Sequence, residues 1–320
     1  MNSDTSIIYN CLIKNDNDFI SLVNNDNDIV NKNISLYKAN TYYFKLDKQY
    51  ALQYYNNNDI RSNVLRTIVN PRILMLLDLS YVDTLIDVND LHNIHTIKLN
   101  RCKNLKSISS ISNVNHLECQ HCENLVRVDD INEIDIVDFK ACEILKIINV
   151  SNVNTLLLHW CRHIDSTSLR GLKDVSTMLD LSYCHVSDVT ALGHKEWHDL
   201  NLSHTLVNDV SMLGKCHKLN LTGCMNINDC SMLGGVYDLC LKGTNVTDVS
   251  NLGTCSYLDI SECNNVIDVT ALSNVSNLDI SHCRNIEDVS ALINVKKLSI
   301  VGTYKVIDTS TLTATVIVRE

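Results

Sequence analysis

The fold of this chain is decided by a stretch near its end, Val275–Leu292, which reads VSNLDISHCRNIEDVSAL. Leu278 and Ile280 are apolar and flank a polar residue, and this alternation predicts a short β-strand with one buried face. Cys283 follows three residues after the second apolar position. An Asp-Val-Ser sequence then precedes Leu292, which predicts a turn that carries the chain back.

The same pattern recurs along most of the chain with a period near 20 residues. One unit cannot bury its own apolar face, whereas a stack of units with parallel strands can. The return path is too short for long helices and predicts turns and 3-10 segments, with the recurrent Asp (188, 209, 229, 248, 268, 288 and 308) capping free backbone N–H groups. The first apolar residue of each predicted strand is found at Leu77, Ile97, Leu117, Val137, Leu156, Leu179, Leu200, Leu219, Leu239, Leu258, Leu278, Leu298 and Val316.

A small residue occupies the turn position equivalent to Cys283 in each unit from that of Ile97 to that of Leu298. It is Cys in most units and Thr in the others, and either side chain is small enough to be buried there and to donate to a backbone carbonyl. Most of the 14 cysteines therefore have one structural role and are expected to be reduced thiols. Cys119, Cys216, Cys255 and Trp197 fall on apolar positions and are predicted to be core.

This pattern resembles the leucine-rich repeat, L-x-x-L-x-L-x-x-N/C-x-L, over residues 74–320. The resemblance implies an α/β solenoid of about twelve repeats, with one parallel strand per repeat on the concave face. The unit between Leu156 and Leu179 is longer, and its Ile164–Leu172 segment is similar to the cysteine-containing subclass found in F-box/leucine-rich-repeat proteins, in which a helix fits.

Residues 1–73 carry no repeat, and their apolar spacing predicts three short helices within residues 7–34. This segment resembles a degenerate F-box without the usual Leu-Pro opening, and with the Asn-rich composition it is similar to F-box/leucine-rich-repeat proteins of giant DNA viruses of amoebae. The resemblance implies docking onto a Skp1-type adaptor of a cullin ubiquitin ligase. The alternative is a helical segment that only caps the first strand. The adaptor-binding residues would be Ile7, Ile8, Leu12, Phe19, Ile20, Leu22 and Val23.

Charge and motifs exclude several classes of function. The formal charge of −10 argues against a nucleic-acid partner, no apolar run is long enough to cross a membrane, and the N-terminus lacks the features of a signal peptide, which predicts a cytoplasmic location. Phosphate-binding glycine motifs are missing. Cys119-x-x-Cys122 with His116 and His121 lacks the second pair of a zinc site. We therefore expect no catalytic residue, no cofactor and no metal.

Two rows of side chains are predicted to face out of the concave sheet. The middle row lies between the two apolar strand residues and is mostly acidic; the rim row lies at the far end of the strand and contains Tyr, Trp and Arg, which dominate interface hot spots. These residues therefore predict a binding surface; the alternative is that they are simply the polar lining that a solvent-exposed face requires. The predicted binding residues are Asp78, Lys98, Glu118, Asp138, Asp180, Asp259 and Asp279 in the middle row, and Tyr81, Arg101, His121, Trp160, Tyr183, His204 and His282 in the rim row.

These observations predict a protein-binding module with a basic or mixed-charge target. Its role is either that of a substrate receptor for a Skp1–cullin ubiquitin ligase or, alternatively, that of a scaffold or regulatory subunit that binds and masks its partner. The last predicted strand, Val316–Val318, has an edge without a visible cap, so the chain is expected to be a monomer or to self-associate weakly end to end.

Overall fold

The computed structural model describes residues 9–13, 42–46, 48–58, 73–172, 174–306, 309, 312 and 316–318. In this part of the chain, parallel strands stack into a solenoid, and this confirms the predicted fold class. The strands are β1 (Tyr9–Ile13), β2 (Tyr42–Leu46), β3 (Ile73–Asp78), β4 (Asp87–Val88), β5 (Leu91–His92), β6 (Thr96–Lys98), β7 (Ser107–Glu118), β8 (Arg127–Asp138), β9 (Ile147–Leu157), β10 (Val175–Asp180), β11 (Asp199–Asn201), β12 (Lys218–Asn220), β13 (Asp238–Cys240), β14 (Tyr257–Asp259), β15 (Asn277–Asp279), β16 (Lys297–Ser299) and β17 (Val316–Val318).

The strand register follows the repeat read from the sequence. Leu200 pairs with Leu219, which pairs with Leu239 in the next strand. All three side chains are buried, because equivalent positions of adjacent repeats form one continuous core. The last strand differs by one residue: Ile317, rather than the predicted Val316, lies opposite Leu298.

The return segments take two forms. In the later repeats they contain the predicted 3-10 turns, whereas β7, β8 and β9 extend through the return path as parallel strands, with Ile108 opposite Val128 and Ile111 opposite Ile131. These earlier segments are rich in β-branched residues, which favour extended backbone. The 3-10 helices are Ser168–Gly171, Thr190–Leu192, Ser211–Leu213, Ser231–Leu233, Ser250–Leu252 and Thr270–Asn274.

The aspartates of the later return segments act as predicted. The Asp209 Oδ1 atom accepts the Ser211 backbone N–H at 2.9 Å, and Asp188, Asp229, Asp248, Asp268 and Asp288 accept the equivalent bond. In the longer unit, a 3-10 turn at Ser168–Gly171 replaces the helix expected within Ile164–Leu172. Asp165 accepts the N–H groups of Thr167 and Ser168, which tightens this turn.

The cysteines of the turn position and of the apolar positions are core residues, as predicted. The thirteen described cysteines are free thiols, and twelve of them are buried. The two residue types of the turn position differ in their partner: Cys263 donates to the Leu241 carbonyl of the preceding repeat at 3.1 Å, whereas Thr244 donates at 2.7 Å to the same Leu241 within its own repeat. Trp197 is buried, and its Nε1–H donates to the Leu192 carbonyl at 2.9 Å.

The N-terminal segment corrects one prediction. Tyr9–Ile13, expected to be part of a first helix, forms β1, which pairs in parallel with β2, and β2 pairs with β3. Backbone pairing with the edge of the sheet therefore prevails over the helical spacing of the apolar residues. One helix, α1 (Lys48–Asn56), follows β2. Of the predicted adaptor-binding residues, Leu12 lies in β1, and Ile7, Ile8, Phe19, Ile20, Leu22 and Val23 lie outside the described residues.

Candidate protein-binding surface

The acidic middle row has a structural function at the ends of the strands. Asp259 Oδ1 accepts the backbone N–H of Ser261 at 2.8 Å, and Asp279 Oδ1 accepts that of Ser281 at the same distance. Such bonds stabilise the turn that follows each strand. The same bond is formed by Asp78, Asp138, Asp180, Asn201 and Asn220.

Two of the predicted binding residues are enclosed by these bonds. Asp138 is 5% exposed and also accepts a hydrogen bond from Gln120 Nε2 at 2.7 Å, and Asp180 is 9% exposed. Asp138 and Asp180 therefore offer a partner little surface.

Glu118 is paired with Lys98 at 2.8 Å. Partial burial raises the pKa of Glu118, but hydrogen bonds from Lys98 and Asn100 outweigh this effect, and the pKa lies below its ordinary value.

The rim row lies in the turn directly after each strand, and its backbone is left-handed throughout. Its φ values run from 56° at Ala141 to 68° at Gly223. This conformation carries no steric penalty for glycine, and glycine occupies the position three times. Its left-handed members are Tyr81, Arg101, His121, Ala141, Trp160, Tyr183, His204, Gly223, Gly243, Glu262, His282 and Gly302.

The rim row brings three predicted residues into one aromatic stack. The ring centroids of Trp160 and Tyr183 lie 4.7 Å apart, and those of Tyr183 and His204 lie 4.4 Å apart, with interplanar angles below 20°. Neighbouring strands are about 4.8 Å apart, so rings at the same position of successive repeats meet face to face. The Arg162 guanidinium lies 4.7 Å from the Trp160 ring and extends the stack by a cation–π contact. We call Trp160, Arg162, Tyr183 and His204 the rim stack.

A second aromatic row was missed by the sequence analysis. His198, His217, Tyr237 and Tyr257 lie one or two residues before the buried strand leucines, at the opposite end of the strands from the rim stack. The His217 and Tyr237 rings stack with centroids 4.9 Å apart and planes 7° apart, and tilted contacts join them to His198 and Tyr257. Alignment of the repeats at this position would have revealed the row.

Five predicted residues converge at the first repeats. Asp78, Tyr81, Lys98, Arg101 and His121 line a cavity of about 460 Å³, with Lys48 of α1 on the same wall. The Lys48 Nζ atom lies 5.9 Å from the Tyr81 ring centroid. Among the described residues, neither Lys48 nor Arg101 forms an ion pair. We call this cavity the basic pocket.

In the later repeats, the charged residues of the middle and rim rows are mostly acidic. Asp259 and Asp279 are partly exposed, and Glu262 and His282 are exposed in the rim row. Lys242 Nζ lies 3.1 Å from a Glu262 carboxylate oxygen, and this bond raises the pKa of Lys242. The concave face therefore changes in charge along its length, from the basic pocket to this acidic end.

One group of thiols has a spacing that could hold a metal ion. The sulfur atoms of Cys119, Cys122 and Cys142 lie within 4.8 Å of one another, and all three side chains are buried. Cys122 and Cys142 donate to the carbonyls of Leu99 and Cys119, at 3.1 and 3.0 Å, and burial raises the pKa of the Cys119 thiol. These bonds are the repeating bonds of the solenoid core. Among the described residues, neither His116 nor His121 belongs to the group.

The repeat, the register and the open concave face define the class of this protein as a leucine-rich-repeat solenoid. No protein-family model matches the chain, and no curated protein sequence matches it. It is similar to the crystal structure of an internalin C2 from Listeria monocytogenes, with 23% identity and a TM-score of 0.44 over 52% of this chain and 80% of that chain. It is also similar to a second Listeria monocytogenes internalin, with 13% identity and a TM-score of 0.44 over 83% of this chain and 96% of that chain.

None of the helices in the described part of the chain has the length and apolarity that crossing a bilayer requires. The cytoplasmic location stays a prediction.

Proposed function

We propose that this chain binds a partner protein on the concave side of the solenoid, with the rim stack as the anchor. The observation that carries this proposal is the continuous aromatic surface of Trp160, Tyr183 and His204 with Arg162 across its end. Trp, Tyr and Arg are the residue types most enriched in interface hot spots. Stacking also holds the rings in place before binding, so that little side-chain entropy is lost on association.

The charges support a partner of mixed polarity. The acidic end at Asp259, Glu262 and Asp279 suits a basic segment, whereas the basic pocket suits an acidic one. Complementary charge of this kind determines the orientation and the association rate of a partner more than its affinity. This agrees with the basic or mixed-charge target expected from the sequence.

The test is partner capture by the full chain, with chemical cross-linking and mass spectrometry to locate the contact. Replacement of one hot-spot residue weakens binding by about 2 kcal/mol or more, which is about thirtyfold. Trp160→Ala and Tyr183→Ala should therefore lose the partner, while both variants keep the far-UV circular dichroism of the parent. Met212→Ala is the matched control, because Met212 is 54% exposed on the return path.

Two results would contradict the proposal. Capture that is equal in Trp160→Ala, Tyr183→Ala and the Met212→Ala control would show that the rim stack is not the anchor. Cross-links confined to the return segments would place the partner on the convex side.

For the finer role, the scaffold that binds and masks its partner is favoured over the ubiquitin-ligase substrate receptor. The observation that favours it is β1: Tyr9–Ile13 pairs with the sheet where an adaptor-docking helix was expected. Co-purification of the full chain with a Skp1 adaptor tests this choice. Absence of Skp1 from folded, partner-competent protein is the expected result, and stoichiometric retention of Skp1 would restore the substrate-receptor role.

A further inference from the structure

The basic pocket is a cavity whose chemistry differs from that of the chain as a whole. The chain carries a formal charge of −10, yet the pocket gathers three cations around about 460 Å³. The wall residues used in this argument are Lys48, Asp78, Ser80, Tyr81, Lys98 and Arg101.

Two of these cations have no carboxylate partner among the described residues. Lys98 is paired with Glu118 at 2.8 Å. Lys48 Nζ lies 5.9 Å from the Tyr81 ring centroid, and neither Lys48 nor Arg101 forms an ion pair with a described residue. Asp78, the acidic residue of the pocket wall, accepts the Ser80 backbone N–H at 3.1 Å and is held by the turn. Asp78 keeps its negative charge, so the two unpaired cations leave the pocket wall with a net formal charge of about +1.

The hydrogen-bond donors on the pocket wall suit a tetrahedral anion. The Arg101 guanidinium is a planar fork that binds phosphate or carboxylate through two N–H groups, and Lys48 supplies a point charge. The Ser80 hydroxyl oxygen already accepts the Asn100 backbone N–H at 3.2 Å, so its O–H can donate to a ligand. The side-chain amides of Asn100 and Gln120 each donate one N–H elsewhere, to Glu118 and Asp138.

We infer that the basic pocket binds a phosphorylated side chain of the partner protein. A phosphoryl group carries a charge between −1.5 and −2 at neutral pH and has three acceptor oxygens, so it can accept from Arg101, Lys48 and Ser80 together, whereas a carboxylate has only two oxygens. The inference rests on the proposed protein-binding function and adds a chemical requirement to it. The exposed Tyr81 ring, at 63% exposure, provides an apolar wall for the chain that carries the phosphate.

The test is calorimetric titration of the full chain with a blocked phosphoserine peptide, a glutamate peptide of the same sequence and inorganic phosphate. The phosphopeptide should bind at least tenfold more tightly than the glutamate peptide, and inorganic phosphate should compete with it. Arg101→Gln and Lys48→Gln should each weaken binding of the phosphopeptide at least tenfold, because each replaces a charged donor to the phosphate by a neutral one. Lys242→Gln is the matched control and should stay within twofold, since Lys242 is a paired cation outside the pocket.

Four results overturn the inference. In the first two, the phosphopeptide gives no heat of binding, or the glutamate peptide and the phosphopeptide bind with equal affinity. In the other two, inorganic phosphate binds but the phosphopeptide does not, or the Arg101→Gln, Lys48→Gln and Lys242→Gln variants bind the phosphopeptide with equal affinity. The peptide titration does not require the natural partner. If it fails while Trp160-dependent capture persists, the basic pocket is refuted and the protein-binding function stands.

Discussion

Two glycines of the rim row, Gly223 and Gly243, allow a direct test of where the His204 ring lies. Gly223 and Gly243 have nearly the same backbone, with φ of 68° and 67°. Their surroundings differ: a Cβ atom added at Gly223 would lie 2.5 Å from the His204 Nδ1 atom, whereas a Cβ atom at Gly243 would meet only a Glu262 carboxylate oxygen at 3.9 Å. Alanine at the two positions therefore has the same backbone penalty and a different steric one.

The expected magnitudes follow from this geometry. A left-handed alanine costs about 1–2 kcal/mol of unfolding free energy, and this applies to both variants. At Gly223 the His204 ring must also move by about 1 Å to reach ordinary contact distance, which disrupts its stack on Tyr183 at 4.4 Å. An aromatic pair contributes about 0.5–1.5 kcal/mol. Gly223→Ala should therefore lose more stability than Gly243→Ala by about that amount.

The assay is urea unfolding followed by far-UV circular dichroism, repeated in a His204→Ala background. Removal of the ring should bring the effect of Gly223→Ala down to that of Gly243→Ala, which gives a coupling of about 0.5–1.5 kcal/mol between Gly223 and His204. Equal losses in the two glycine variants, together with no coupling in the double mutant, would refute the placement of the His204 ring over Gly223.

Three further predictions test the core and the turns. Leu219→Asp should lower the free energy of unfolding in urea by at least about 3 kcal/mol, because Leu219 is fully buried and the new carboxylate has no partner. The control variant Met232→Asp should stay close to the parent, since Met232 is 61% exposed. A small effect of Leu219→Asp would contradict the assigned register. Cys263→Thr should change the unfolding free energy by less than about 1.5 kcal/mol, since Thr244 fills the same position of the preceding repeat. Cys263→Leu should overfill the turn and lower the urea midpoint further. Equal urea midpoints of the two variants would show that the site is not tightly packed. Hydrogen bonds from the backbone N–H two residues later lower the pKa of Asp209, Asp229 and the equivalent aspartates below the ordinary value of 3.8. These bonds therefore stabilise the fold at pH values above 3.8, and the stabilisation should be lost as the pH falls from 3.8 through the lowered pKa values. Urea midpoints at pH 6, 4 and 3 test this, and Asp209→Asn with Asp229→Asn should make the pH dependence shallower; an unchanged slope would contradict it.

The N-terminal region shows where local pattern fails as a guide. The spacing of Ile7, Ile8, Leu12 and Ile13 favours a helix, but Tyr9–Ile13 is a strand paired with β2. A short apolar run is compatible with either structure, and the choice depends on whether a sheet edge is available for pairing. That edge is made by residues more than thirty positions away, and nothing in the local sequence reports it.

Four features of this protein can be predicted from its sequence: the repeat, the buried leucines, the thiol or threonine at the turns, and the aspartate-capped return segments. Each of them depends on contacts within a repeat or with its immediate neighbour. The residue types of the rim row can be predicted as well, but their contacts depend on how the repeats stack. The rim stack and the second aromatic row exist because parallel strands bring the ring centroids of equivalent side chains to within 4.4–5.6 Å. The basic pocket exists because α1 places Lys48 on the wall of the cavity that Arg101 also lines. Asp138 and Asp180 are enclosed for the same reason, since backbone and side-chain donors of the turns close around them.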